Sequence, residues 1–171
     1  MIEIVKAGEN NTPLLAEIAV QTFIESHGHS AGKSDIEAYI QKNYTLAAVR
    51  NELRDPGNIY HIVYYNNEPA GYSKIVLTHP YEGGDENLTK LERLYLLGKF
   101  YNLKLGQELF QFNKQLSIDN KQSGIWLYVW KENQRAINFY LKNGFVINGS
   151  HDFRLSERHT NPNHRMILLF E

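Results

Sequence analysis

A ten-residue stretch, Phe100–Leu109 with the sequence FYNLKLGQEL, has the position of an anion-binding loop. It follows an apolar run and leads into a helical pattern, and the first amides of a helix have no partner within the helix. These amides, together with the positive end of the helix dipole, attract phosphate groups. The stretch has only one glycine, Gly106, and one cation, Lys104. Taken alone, it is better explained as a plain connection between a strand and a helix.

A second candidate for chemistry is Glu92, the one acidic residue in the mostly apolar segment Leu91–Leu97, LERLYLL. A carboxylate in such a strand requires water or a polar partner. It can act as a base or hold a cation, or it can lie exposed on the strand without a role. The segment itself favours neither alternative.

Other catalytic patterns are missing from the chain. His27 and His29 are not a helical i, i+4 pair with a nearby carboxylate, so we expect no metal site. Ser26, Ser30 and Ser73 lie outside any G-x-S-x-G elbow, and there is no Walker loop or G-x-G-x-x-G pattern. The absence of cysteine excludes disulfides and a thiol nucleophile.

Hydrophobic periodicity predicts the elements that must position these residues. We predict the following order: a strand near Ile2–Val5, a helix from an N-cap at Thr12 to about His27, a helix over 34–43, a helix capped by Thr45, a hairpin of 59–65 and 70–77, a loop over 79–87, a strand over 91–97, a helix after 104, a strand over 125–129, a helix over 133–143, and strands over 145–153 and 165–170. The order indicates one domain, residues 1–171, of the α/β or α+β class with a mixed sheet.

The helix after the candidate loop has a clear apolar pattern. Its apolar residues Leu105, Leu109, Phe112 and Leu116 follow the spacing i, i+4, i+7, i+11. This spacing predicts that the four side chains share the buried face of an amphipathic helix.

Composition limits the partners of the protein. Hydrophobic residues make up 42% and charged residues 22% of the 171 residues, and the formal net charge is −1. No overall field therefore attracts nucleic acid or an anionic membrane, and an anion site must be built locally. The chain shows no signal peptide and no membrane-spanning run, so we expect a cytoplasmic protein. The sequence carries no signal for or against a homo-oligomer.

The segment Ile125–Phe145, IWLYVWKENQRAINFYLKNGF, resembles the C-terminal signature of the GNAT superfamily of acyl-CoA-dependent N-acyltransferases. That signature, N-x-x-A-x-x-F-Y-x-K-x-G-F, is matched at Asn133, Ala136, Phe139, Tyr140, Lys142, Gly144 and Phe145. LERLYLL falls where the family has its central strand. FYNLKLG falls on the family's pyrophosphate loop, [QR]-x-x-G-x-[GA], with Tyr101 and Lys104 in place of the first two defining residues and Gly106 retained.

Short segments over most of the chain are similar to the PaiA-type branch, bacterial polyamine (spermidine/spermine) N-acetyltransferases. These segments are Gln21–Phe23, Asp35–Tyr39, Glu52–Leu53, Ala70–Lys74 and Gly149–Leu155.

The resemblance implies the GNAT fold, a mixed and mostly antiparallel sheet that splays in the middle and is flanked by helices. It also implies acetyl-CoA as co-substrate, with the pantetheine arm paired to the backbone of Leu94, Tyr95 and Leu96 like an added strand. The residues implied for the pyrophosphate are Asn102, Leu103, Lys104, Leu105, Gly106 and Gln107. Asn133 is expected to cap its helix and to contact the cofactor, although the cap alone explains it. Lys142 is expected near the phosphates, although a solvated lysine is the commoner case.

The resemblance further implies direct transfer of the acetyl group to a primary amine in a ternary complex. Tyr140 matches the tyrosine that donates a proton to the CoA sulfur, and a phenol of ordinary pKa keeps its proton at pH 7. The alternative is an aromatic residue that only packs the helix. Glu92 would take a proton from the ammonium, directly or through water, or hold its charge.

The substrate implied is a small-molecule amine, with a polyamine favoured by the branch. An acidic lining would suit a polyamine. Residues 21–45 and 79–90 offer six candidates, although acidic residues of this kind are usually just solvated: Glu25, Asp35, Glu37, Glu82, Asp85 and Glu86. Tyr101 and Lys104 depart from the family's pyrophosphate-loop pattern. This departure motivates a second hypothesis, a GNAT-fold protein that binds acyl-CoA with little or no catalysis.

Overall fold

Antiparallel pairing dominates the central sheet of the computed structural model, which describes residues 1–171. The sheet has seven strands: β1 (Ile2–Lys6), β2 (Ile59–Tyr65), β3 (Glu68–Val76), β4 (Leu88–Leu96), β5 (Gly124–Trp130), β6 (Val146–Arg154) and β7 (Thr160–Leu169). Their spatial order is β1-β2-β3-β4-β5-β7-β6. Only β4 and β5 are parallel, and the other neighbours are antiparallel.

Five α-helices cover the two faces of the sheet: α1 (Thr12–His27), α2 (Lys33–Asn43), α3 (Leu46–Arg54), α4 (Leu105–Asp119) and α5 (Gln134–Lys142). One apolar core joins α1, α2 and α3 to the sheet through residues such as Leu15, Ile62 and Tyr72. A second joins α4 and α5 to the sheet, where Phe110 and Phe145 are fully buried. None of the helices is long and apolar enough to cross a membrane.

The predicted fold class and the order of the elements are confirmed. The hairpin turn is formed by Asn66 and Asn67, both in the left-handed region that a two-residue hairpin requires. Thr45 caps α3, since its Oγ1 accepts from the amide of Ala48 at 3.1 Å. The N-cap at Thr12 was wrong by one residue: Asn11 is the N-cap, because Thr12 already has helical dihedrals and its hydroxyl donates to the Glu9 carbonyl.

Two strands and one helix face differ most from prediction. β4 begins at Leu88 because Leu88 pairs with Gly124 of β5, and β7 begins at Thr160 because it pairs with β6 as far as Arg154. On α4, Phe112 is 36% exposed, while Phe110 takes the core position.

Beneath α4, His61 of β2 is a buried histidine with an unpaired nitrogen. Its ring lies 4.7 Å from that of Phe112, and its Nδ1 has no hydrogen-bond partner. Burial, and to a smaller extent the charge of Lys6, lowers the pKa of His61 from 6.5 to about 4. The unfolded chain therefore takes up a proton at a higher pH than the folded chain. Folding stability is fully present above pH 6.5 and falls as the pH drops towards 4.

We expect His61→Leu to make the free energy of unfolding less dependent on pH between pH 7 and 4.5. The free energy of unfolding of the wild type should fall by on the order of 1–3 kcal/mol between pH 7 and 4.5 because of His61, and the variant should lack that component. Urea unfolding at a series of pH values measures it. Equal slopes for the two proteins would show that His61 titrates normally in the folded state.

Candidate active site

A cavity of about 630 Å³ opens where β4 and β5 separate. The two strands pair only from Leu88 to Lys90 on β4, opposite Gly124 to Trp126 on β5. Beyond these residues the strands diverge, so the splay expected from the sequence is present. Leu94, Tyr95 and Leu96 on one side and Val129 and Trp130 on the other line the resulting slot.

The strand on one wall of the slot has a free backbone edge. Leu94, Tyr95 and Leu96 pair with β3 on one side only, because β5 has already turned away. Gly71 of β3 permits this pairing: a Cβ atom there would lie 2.3 Å from the Tyr95 carbonyl oxygen. Peptide-like groups of a ligand can add to such an edge as an extra strand would.

A β-bulge in β4 sets the direction of Glu92. Lys74 of β3 pairs with Arg93 and the next residue, Ile75, pairs with Leu91, which leaves Glu92 as the extra residue. Bulges of this kind redirect side chains next to functional sites. Glu92 consequently lines the cavity instead of following the regular alternation of the strand.

Glu92 belongs to a network of charges that the sequence did not reveal. The Lys74 ammonium, whose side chain is 6% exposed, lies 2.5 Å from Glu92 Oε2 and 2.6 Å from Glu52 Oε1 of α3. Tyr60 donates to the same Glu52 oxygen, and Arg93 donates to the Tyr60 hydroxyl. Burial alone would raise the pKa of Glu92. The Lys74 ammonium, together with the charges of Lys90 and Arg93, outweighs the effect of burial, so the pKa of Glu92 is lowered.

On the opposite wall, Tyr140 of α5 reaches the cavity. Its ring packs edge-on against Phe139 and Phe145, each with a centroid separation of 5.3 Å. Burial raises the pKa of Tyr140, because the phenolate would be poorly solvated. The hydroxyl therefore keeps its proton throughout the neutral range, as a proton donor to a leaving thiolate requires.

The start of α4 lies at one end of the slot, where Tyr101 and Gly106 border the cavity. Lys104 is the N-cap and has φ 64° and ψ 15°, in the left-handed region that usually favours glycine. Lys104 stands where the family pattern has a glycine, and its backbone adopts a conformation that glycine reaches readily. The amides of the first helical turn, from Leu105 to Gln107, have no acceptor within the helix.

Most side chains of the loop before α4 and of its first turn do not face the cavity. Leu105 is fully buried in the core beneath α4, and Gln107 donates to Asn143 at 2.8 Å. Asn102, Leu103 and Lys104 are exposed and do not line the cavity. Of this stretch, only Tyr101 and Gly106 line the slot, so the Lys104 charge would act on a ligand from outside it.

Arg135 is a cation at this end that sequence inspection missed. Its guanidinium lies 3.4 Å from the centroid of the Tyr101 ring, and it lines the cavity. A cation–π contact of this kind joins α5 to the loop before α4. Tyr101, which replaces a polar residue of the family pattern, therefore positions an arginine from another helix. A basic residue two positions after Asn133 was the only signal in the sequence.

Asn133 caps α5 as predicted, because its Oδ1 accepts from the amide of Ala136 at 3.2 Å. Asn133 and Lys142 both line the cavity. These two residues and Tyr140 lie on the α5 side of the slot, opposite the free edge of β4.

The other end of the cavity is lined mainly by aromatic side chains: Phe23, His27, Tyr39, Tyr44, Trp130 and Phe153. His27, the last residue of α1, contacts Trp130 with 5.9 Å between ring centroids, and its Nε2 lies 3.4 Å from the Tyr95 hydroxyl. Burial, with a smaller contribution from His29, lowers the pKa of His27 to about 4. His27 is thus a neutral imidazole at pH 7, and no sequence pattern identified it.

Of the six candidates for an acidic lining, only Glu25 lines the cavity, and the other five do not. Glu25 lines the cavity, but its Oε2 accepts from the amide of Gly98 at 2.7 Å. Asp35 accepts from Ser156, and Glu37 lies 3.9 Å from Lys33. Glu82, Asp85 and Glu86 do not reach the cavity, since their loop lies beyond the opposite end of β4 from the slot. The carboxylates on the wall are Glu25, Glu92 and Glu132.

A family model described as the acetyltransferase (GNAT) family matches residues 15–145. This span includes the splayed strands, the start of α4 and Tyr140. The chain belongs to the GNAT acetyltransferase family. The GNAT fold expected from the sequence is thereby confirmed, and the chain is an N-acetyltransferase that uses acetyl-CoA as co-substrate.

Individual relatives agree with this membership. An uncharacterised N-acetyltransferase of Lactobacillus delbrueckii subsp. lactis is 29% identical over 157 residues, covering 91% of each chain. A spermidine N(1)-acetyltransferase of Thermoplasma acidophilum is 25% identical and covers 85% of this chain and 89% of its own. The PaiA N-acetyltransferase of Thermoplasma acidophilum, crystallised with coenzyme A, has the same fold, with a TM-score of 0.80, 21% identity and 99% coverage of both chains.

Lys104 gives a testable consequence of the altered loop. We expect Lys104→Gly to bind acetyl-CoA with nearly the wild-type affinity at low salt, because the lost charge is offset by the closer approach to the backbone that a glycine permits. Its affinity should fall less steeply as salt is added, since one screened attraction is missing. Calorimetric titration between low and high salt measures the two slopes. Identical slopes would refute a charge contribution from Lys104.

Proposed function

We propose that residues 1–171 form one acetyltransferase domain that transfers an acetyl group from acetyl-CoA to a primary amine at the β4–β5 splay. The observation that carries this proposal is the slot itself. A free strand edge lies on one wall, a buried protonated tyrosine lies on the other, and a helix start lies at the end.

The wall residues fit acetyl-CoA by shape and chemistry. The backbone of Leu94, Tyr95 and Leu96 would pair with the pantetheine amides, and the first-turn amides around Gly106 would bind the pyrophosphate. Arg135 and Lys142 would add positive charge near the phosphates. When bound, acetyl-CoA supplies an activated thioester carbonyl.

Two residues would handle protons and charge. Tyr140 holds the proton that the departing sulfur takes up. Glu92, on the bulge of β4, offers a carboxylate to the acceptor ammonium. No side chain forms a covalent intermediate in this arrangement, so the acetyl group passes directly between the two bound substrates.

The finer proposal is that the amine is a polyamine such as spermidine. It is supported by the similarity to the spermidine N(1)-acetyltransferase of Thermoplasma acidophilum. The aromatic walls suit an alkyl chain, and Glu92 can hold one ammonium group. Because few other free carboxylates line the cavity, we expect only the reacting end of the polyamine to be recognised inside it.

The test combines binding and turnover. Acetyl-CoA is titrated calorimetrically, and release of the thiol is then followed with spermidine, butylamine, an amino acid and a short peptide. Mass spectrometry of a mixed amine pool with labelled acetyl-CoA identifies the product. Tight binding without turnover of any amine would favour the binding-only hypothesis, and no binding would contradict both.

Spermidine and butylamine separate the coarse proposal from the fine one. If kcat/KM for spermidine is about tenfold or more above that for butylamine, the second and third ammonium groups contribute to recognition. Equal values would support a primary-amine acetyltransferase and contradict the polyamine proposal.

A further inference from the structure

Lys74 is a buried lysine held between two carboxylates. It lies on β3, and its Nζ is 2.6 Å from Glu52 Oε1 and 2.5 Å from Glu92 Oε2. One carboxylate is enough to neutralise an ammonium group, so the second partner calls for an explanation. That partner, Glu92, is the one that lines the cavity.

The contact with Lys74 makes the two oxygens of the Glu92 carboxylate unequal. Oε2 is committed to Lys74, whereas Oε1 is in no ion pair. The side chain is 32% exposed and lies on the bulge that directs it to the cavity. The contact with Lys74 therefore restricts rotation of the carboxylate and leaves one oxygen for a cation in the slot.

Glu52 gives the buried Lys74 a carboxylate partner that lies outside the cavity. Without it, Glu92 alone would share one charge with both Lys74 and a bound ammonium. Glu52 also accepts from Tyr60 at 2.7 Å and lies 4.0 Å from Arg93. The charged and titratable groups around Glu92 come from five strands and helices: Lys74 on β3, Glu52 on α3, Lys90, Arg93 and Tyr95 on β4, Tyr60 on β2, and Tyr39 on α2 with Tyr44 directly after it.

We infer that Lys74 and Glu52 are positioning residues for acetyl transfer, with Lys74 orienting Glu92 so that its free oxygen binds the acceptor ammonium. This inference rests on the proposed function. Glu92 then anchors the amine as an ion, and the proton leaves to solvent water before the nitrogen attacks. The new C–N bond forms as the C–S bond breaks, the sulfur takes the proton of Tyr140, and the second proton of the nitrogen passes through water to the Tyr140 phenolate.

The central experiment compares Lys74→Met with Glu52→Gln. In Lys74→Met, Glu92 loses its cation and faces a second carboxylate, so its pKa should rise. We expect the acid limb of kcat/KM for the amine to move up by about one pH unit or more. The KM for the amine should rise about tenfold, while the KM for acetyl-CoA stays within about twofold.

Glu52→Gln is expected to behave differently. Lys74 then pairs with Glu92 alone, so the acid limb should stay at the wild-type pH or move lower. Lys74→Arg should restore the wild-type limb because it restores the cation. Lys33→Met removes a lysine from an exposed pair with Glu37 and serves as the matched control.

Thermal unfolding and acetyl-CoA titration show whether each variant is folded. If Lys74→Met does not fold, the double variant Lys74→Met, Glu52→Gln removes one buried charge of each sign and is expected to show a smaller shift in the same direction. An unshifted acid limb in folded Lys74→Met, or equal behaviour of Lys74→Met and Glu52→Gln, would overturn the inference and leave the proposed function intact. Failure of the wild type to acetylate any amine would instead overturn the proposed function.

Discussion

Replacing Tyr140 by phenylalanine is expected to lower kcat for acetyl transfer by about 10²- to 10³-fold. The substitution removes one hydroxyl from a ring that is buried against Phe139 and Phe145 and leaves the packing unchanged. Without that proton donor, the sulfur must leave as a thiolate or take a proton from water. Binding of acetyl-CoA should remain within about twofold of the wild type, because the loop and the strand edge are untouched.

Single-turnover kinetics measure the chemical step, and calorimetry measures binding. Tyr65→Phe is the matched control, because Tyr65 packs on Phe100 and does not line the cavity. A wild-type rate in Tyr140→Phe would show that the proton comes from another group, and Tyr95 would then be examined first because it lies in the opposite wall.

Replacing Gly106 by valine is expected to weaken acetyl-CoA binding by about 10- to 100-fold. A Cβ atom at this position would make only ordinary contacts, 3.5 Å to Leu96 Cδ1 and 3.9 Å to Phe139 Cε2, so the fold does not require glycine there. Gly106 borders the cavity beside the free amides of α4. A branched side chain would occupy the space that a pyrophosphate needs to approach those amides.

Gly106→Ala is the control for this experiment and should bind acetyl-CoA within a few-fold of the wild type. S-acetyl-pantetheine, which lacks the pyrophosphate, adds a second control: the wild type and Gly106→Val should use it equally well. If Gly106→Val binds acetyl-CoA like the wild type, the pyrophosphate lies elsewhere.

Local patterns predicted most of the elements because each depends on neighbours within a few residues. The caps at Thr45 and Asn133 and the hairpin that joins β2 to β3 are of this kind. Errors occurred where a distant partner decides the outcome. β4 and β7 are longer than predicted because β5 and β6 pair with their first residues. Helical spacing placed Phe112 on the buried face of α4, but the sheet covers a face that is rotated towards Phe110 and includes the polar residues Asn113 and Ser117.

The sequence by itself determined the family and the residue types of the slot, because the segment from Asn133 to Phe145 is contiguous and its spacing is local. Only the tertiary structure showed that Arg135 stacks on Tyr101 and that His27 is a neutral imidazole in the wall. It also decided which carboxylates face the cavity. Glu92 meets Lys74 through a bulge that shifts the register of β3 and β4, and a shift of one residue moves a side chain to the other face of a sheet. Such a shift leaves no trace in the periodicity of either strand.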